Sequence, residues 1–137
     1  MSKYVEVAVP LPLSEPLTYA VPEAFEGLAR SGVRVRVSVG RRKIVGIVTG
    51  VRDEPPSGFK IKPLQSVLDH EPVLPEDLLT LAREASDYYL APIGETLQAM
   101  IPGALPPWGD RQIWLTDAGA LGLARSAEEQ AILSLLR

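Results

Sequence analysis

The side chains best suited to chemistry in this chain are cations. Arg34, Arg36, Arg41, Arg42 and Lys43 fall within residues 32–51, and Lys60 follows after a short loop. Guanidinium and ammonium groups at this density point to a polyanion gripped through its backbone charges, for which a nucleic-acid strand is the obvious candidate. Val33, Val35, Val37 and Val39 alternate with Arg34, Arg36, Ser38 and Gly40, the period of a strand with one apolar and one wet face, and the wet face is then cationic. Gly40-Arg41-Arg42-Lys43 turns the chain into a second β-rich run and lifts three more charges to a loop tip. The same charges also suit an ordinary solvated sheet face with a solubilising tip, so the pattern alone leaves both readings open.

Other chemistry is missing from the sequence. His70 is the only histidine and sits among Asp69, Glu71 and Pro72, a solvated-loop context with no nucleophile signature such as Gly-x-Ser-x-Gly to serve. No phosphate-binding loop of the Gly-x-x-x-x-Gly-Lys-Ser/Thr type occurs, so neither triad catalysis nor P-loop ATP binding is expected. The absence of cysteine removes disulfides and thiolate zinc sites and makes a reducing cytoplasm the default compartment. No segment has the apolar length of a membrane span, and the N-terminus lacks the apolar core of a signal peptide.

The net charge of −3 averages two unlike halves. Residues 1–62 carry 10 Lys/Arg against 6 Asp/Glu, a balance of +4, whereas residues 63–137 carry 4 against 11, a balance of −7. A modestly positive face on an acidic protein predicts local, salt-sensitive binding.

These groups must be positioned by a β-rich first half. Residues 3–9 read as a strand ended by Pro10 and Pro12, Pro16 to Pro22 encloses a short β-prone run, and Pro22 to Gly27 reads as a turn or single helical turn. In the second arm of the hairpin, Val45, Ile47, Thr49 and Val51 form one face and Ile44, Gly46, Val48 and Gly50 the other. Two glycines on one face imply coiling or close backbone approach, as in a small closed barrel. Residues 60–69 return as a further strand, with Pro63 favouring an edge or bulge, and about five strands suffice for a small, partly closed, OB-like β-barrel.

The second half is helical. Pro75-Glu76-Asp77 starts a helix whose Leu78, Leu81, Ala82, Ala85, Tyr88 and Tyr89 form a buried stripe, and residues 95–101 read as a second short helix. Tyr88 and Tyr89 could stack on bases, but core packing is the more economical reading. Residues 102–110 read as a linker, with Trp108 and Trp114 packing between units. Ser126 to Glu129 is a capping box opening a helix that runs to the end of the chain, which implies a cut inside a domain. At 137 residues the fold class is mixed β/α: a barrel with an appended helical segment over 1–104, then a linker and a truncated winged-helix start over 105–137.

The order of motifs carries a resemblance. Val7-Ala8-Val9-Pro10-Leu11-Pro12-Leu13, Pro16-Leu17-Thr18-Tyr19 with Val21-Pro22, Gly32-Val33-Arg34-Val35-Arg36-Val37 with Val39-Gly40, Val45-Gly46-Ile47-Val48, Lys62 with Val67-Leu68-Asp69, Glu71-Pro72-Val73-Leu74, and Tyr88-Tyr89 with Pro92-Ile93-Gly94-Glu95 together resemble the N-terminal region of the PriA family of replication-restart primosomal helicases. The resemblance covers about residues 4–104, and residues 111–137 resemble the opening of the winged-helix domain that follows in that family.

It implies sequence-independent DNA binding that captures the 3′ end of a nascent leading strand at a stalled fork. Forked or single-stranded DNA with a 3′ end is the expected partner, possible protein partners are single-stranded DNA-binding protein and other primosome proteins, and no membrane is involved. The family pocket uses an aromatic, an acid, a glycine and a lysine, which fall here on Leu17, Thr18, Gly40 and Lys62; Leu17 and Thr18 depart from the pattern, and weaker end preference is expected. The chain itself is expected to be non-enzymatic and free of cofactors. ATP, zinc and 3′-5′ unwinding belong to the helicase portion of full-length members, in a bacterial cytoplasm. The alternatives are a β-barrel that docks on replication proteins through its acidic helical half, and an RNA-binding barrel of the translation apparatus.

Overall fold

The computed structural model describes residues 4–58 and 60–102, with Gln130 beyond them. The expected linker and winged-helix start at 105–137, with Trp108, Trp114 and the capping box, lie outside the described stretch.

Strands β1 (Tyr4–Ala8), β2 (Leu17–Ala20), β3 (Arg34–Val39), β4 (Arg42–Arg52) and β5 (Ser66–Val67) form one antiparallel sheet in the order β2-β1-β4-β3-β5. The β3–β4 hairpin pairs Val39 with Arg42 across a two-residue loop, and Gly40 takes φ of 59°, the left-handed setting that a type II′ turn assigns to its first central residue. Between Pro22 and Gly27 lies a single 3-10 turn, Glu23–Phe25.

The ladder does not close into the expected barrel. Residues 60–69 form only the two-residue β5 and one parallel bridge, Ala20 with Pro63, in which the Ala20 amide donates to Lys62 O at 2.9 Å and the Leu64 amide to Ala20 O at 2.9 Å. Both bonds are made by the residues flanking Pro63, and among the described residues the pairing goes no further, so the two sheet edges meet at a point.

Each face of the sheet has its own core. Val5, Val7, Tyr19, Val33, Val35, Val37 and Val48 pack on one side with Leu64, and every one of these valines is fully buried. On the other side Ala8 and Ile47 receive Leu74 and two helices, α1 (Glu76–Tyr89) through Leu79 and Ala82, and α2 (Ile93–Met100) through Ile93 and Leu97. Gly94 makes this contact possible, because a Cβ there would sit 1.7 Å from Val9 O.

Two expectations about faces are corrected. A bulge in β4 pairs Glu6 with Gly50 but Val7 with Val48, so Gly46 and Gly50 do not share a face: Gly46 abuts the Val7 side chain within the valine core, and Gly50 lies opposite Glu6. Thr49, the extra residue, is buried; its hydroxyl donates to Glu6 O at 3.3 Å, and its carbonyl accepts from Arg83 Nη2 of α1 at 2.5 Å. The helix thereby satisfies the carbonyl that the bulge removes from the ladder. The stripe on α1 is also narrower than its spacing implies. Tyr88 and Tyr89 are exposed and stacked edge to face at 4.9 Å, Leu81 is half exposed, and Leu90 closes the helix at φ of 52° while 91% exposed.

Candidate functional site

A cleft of about 570 Å³ opens at the β2 edge, where three separate segments meet: Pro16–Tyr19, Ser38–Gly40 and Lys60–Lys62. Leu17, Thr18, Gly40 and Lys62 all line it. Lys62 Nζ donates to Gly40 O at 3.3 Å, tying the lysine to the hairpin turn, and the buried Tyr19 hydroxyl donates to Ser38 O at 3.0 Å, tying β2 to the end of β3. Burial holds the Tyr19 phenol above its ordinary pKa, so it remains a neutral donor. Leu17 packs against the valine core, whereas Thr18, paired with Glu6 across the β1–β2 ladder, stands on the opposite sheet face.

The backbone cations divide. Lys60 lines the cleft. Arg41, Arg42 and Lys43 are exposed immediately after Gly40 and are not part of the lining. Arg36 is half-buried on β3 opposite Ser66 of β5, away from the lining.

Arg34 is corrected outright, because its guanidinium is buried and forked on Asp69. Nε donates to Oδ2 at 2.9 Å and Nη2 to Oδ1 at 2.7 Å, while the Arg34 amide also donates to Oδ2 at 2.9 Å. Hydrogen bonding to Asp69 raises the Arg34 pKa, burial opposes the rise, and the Asp69 charge adds to it. A carboxylate from 35 residues downstream occupies the place expected for a phosphate, so the β3 wet face is not the cationic surface its alternation implies.

Sequence reasoning missed Glu6, Glu15 and Arg52 in the lining. Glu6 Oε1 pairs with Arg52 Nη1 at 3.4 Å. The alternation of β1 marks Glu6 as outward-facing, but nothing in the sequence marks the bulge that brings Arg52 to the same face. The cleft therefore mixes Lys60, Lys62 and Arg52 with the carboxylates of Glu6 and Glu15, so charges of both signs face it. His70 is exposed and offers its carbonyl to Arg30 Nη2 at 2.7 Å. Among the described residues no group of side chains is arranged to hold a metal ion, and no helix is long and apolar enough to cross a membrane.

An antiparallel sheet cored on both faces, with a charged cleft at one edge, defines a small mixed α/β domain. The chain matches the family model of the PriA 3′DNA-binding domain (3′BD) over residues 6–102, and it belongs to that family. It is 39% identical over 94 residues to the replication restart protein PriA of Bacillus subtilis (strain 168), covering 68% of this chain and 12% of that protein. Identity to the Chlamydia pneumoniae protein of the same name is 37% over 99 residues, covering 72% and 13%. For the Treponema pallidum (strain Nichols) protein it is 28% over 107 residues, covering 74% and 16%. The chain thus spans about an eighth of the length of the first two relatives.

Proposed function

We propose that this chain binds DNA in replication restart by holding the 3′-terminal nucleotide of a strand in the β2-edge cleft, as the N-terminal module of a helicase acting at stalled forks. The observation that carries the reading is the convergence of Leu17, Thr18, Gly40 and Lys62 from three segments onto one cleft. A terminal nucleotide lacks a following phosphate and has a free hydroxyl, so a bounded cleft with hydrogen-bonding walls selects ends without reading bases. Lys62 holds the last phosphodiester, Gly40 admits the sugar or base close to the backbone, and Thr18 hydrogen-bonds the terminus. Leu17 gives apolar contact without a π-face, and forgoes the roughly 1–3 kcal/mol that stacking on an aromatic contributes per base. Arg41, Arg42, Lys43 and Lys60 track the backbone leading into the cleft.

Fluorescence anisotropy with strands identical except for a 3′-hydroxyl or 3′-phosphate tests the reading. Tighter binding of the hydroxyl strand is expected, with Lys62→Ala weakening both strands; equal affinities for both strands in the unsubstituted chain would remove end capture.

A second reading, docking on single-stranded DNA-binding protein or another primosome protein, is favoured by the exposed end of α1, where Tyr88 is 81% and Leu90 91% exposed. It predicts that Tyr88→Ser with Leu90→Ser abolishes co-sedimentation with such a protein and leaves DNA affinity unchanged.

A further inference from the structure

A strand ending in a hydroxyl and one ending in a phosphate differ in charge as well as size, so a fixed negative charge beside the terminus separates them. Thr18 cannot do this, because a hydroxyl donates to a phosphate as readily as it accepts from an alcohol. Among the described residues the carboxylates of the lining are Glu6 and Glu15. Glu15 is exposed and precedes β2, outside the sheet. Glu6 lies within β1, directly opposite Thr18, so both side chains stand on one face.

Three features seat the Glu6 carboxylate. Gly50 across the ladder leaves room for it, since a Cβ there would lie 3.1 Å from Glu6 Oε2. The β4 bulge turns Gly50 and Arg52 onto the Glu6 face, and Arg52 Nη1 holds Oε1 at 3.4 Å. The Glu6 side chain is 37% exposed, held yet open to a ligand. We propose that Glu6 reads the chemical state of the 3′ terminus, accepting a hydrogen bond from a free hydroxyl and repelling a terminal phosphate, with Arg52 as its positioning residue. This rests on the reading of the cleft as a DNA-end site.

The test is anisotropy of the 137-residue chain with one oligonucleotide carrying a 3′-hydroxyl, a 3′-hydrogen or a 3′-phosphate. Glu6→Gln lowers the hydroxyl-over-phosphate affinity ratio by about tenfold, the worth of one hydrogen bond to a charged group, chiefly through tighter binding of the phosphate strand. Arg52→Gln lowers the ratio less, and Arg52→Lys restores it. An unchanged ratio in Glu6→Gln, against a chain that does discriminate, overturns the role of Glu6. A chain that never discriminates overturns the end-site reading instead. If Glu6→Gln loses its far-ultraviolet circular dichroism, the same ratio in the two Arg52 variants decides.

Discussion

Replacing Arg34 by methionine separates a structural arginine from a DNA-binding one. The substitution keeps the aliphatic stem and removes the guanidinium, leaving the Asp69 carboxylate, only 12% exposed, with the main-chain amide of position 34 as its remaining donor of the three described above. Breaking a buried pair from one side costs about 3–5 kcal/mol, because the surviving charge stays desolvated. With a urea slope of about 1.5 kcal/mol/M for a domain of this size, the midpoint falls by about 2–3 M. The double variant Arg34→Met, Asp69→Asn restores most of that loss, since the asparagine oxygen still accepts from the amide and no charge is stranded. The Arg34 pKa is raised above the ordinary guanidinium range, so its contribution is fully present below that range and fades only at higher pH. The salt dependence of DNA binding is the companion measurement: Arg34→Met leaves its logarithmic slope unchanged, whereas Arg41→Ala and Arg42→Ala each reduce it by about 0.7 if the strand is single and each contacts one phosphate. A midpoint shifted by less than about 0.5 M together with a reduced slope for Arg34→Met would mean that the arginine serves DNA and that the Asp69 fork contributes little.

The bulge and the cleft wall yield further predictions. Arg83→Met deprives the buried Thr49 carbonyl of its donor, at a cost of about 1–2 kcal/mol, with faster hydrogen exchange at the Gly50 amide; unchanged stability and exchange would remove Arg83 as the brace of the bulge. Tyr19→Phe costs about 1 kcal/mol at pH 7 through the lost bond to Ser38 O. Because burial raises the Tyr19 pKa above 10.0, the folded state favours the phenol: stability is intact below that value and falls as pH rises past it, and Tyr19→Phe flattens that alkaline limb in urea melts at pH 7 and 11. An alkaline limb identical in both proteins contradicts the assignment.

Much of the fold was legible because local patterns and tertiary needs agree. The Val33 to Val39 alternation and the Gly40 turn make the β3–β4 hairpin, and Pro75 with Glu76 and Asp77 opens α1, since turn chemistry and capping act over a few residues. The barrel was not legible in the same way. Closure depends on how far residues 60–69 pair with an edge strand distant in sequence, and among the described residues that pairing stops at one bridge. Tyr88 and Tyr89 follow the periodicity of a buried stripe, yet α1 contributes only Leu79 and Ala82 to the fully buried core, because α2 and the sheet cover only that part of the helix.

Short-range pattern was enough for β1 to β4, the hairpin turn and the two helices, whereas the candidate positions Leu17, Thr18, Gly40 and Lys62 came with the family resemblance. Which charges face a ligand was decided only by the tertiary structure. Arg34 and Arg41 are both arginines of one hairpin, but Asp69 folds back onto the first and leaves the second exposed. Glu6 and Arg52 share a cleft because one extra residue in β4 reverses which side of the sheet the end of that strand presents. Alternation assigns faces only while the register is unbroken, and the register is a property of two strands that the sequence of either one does not contain.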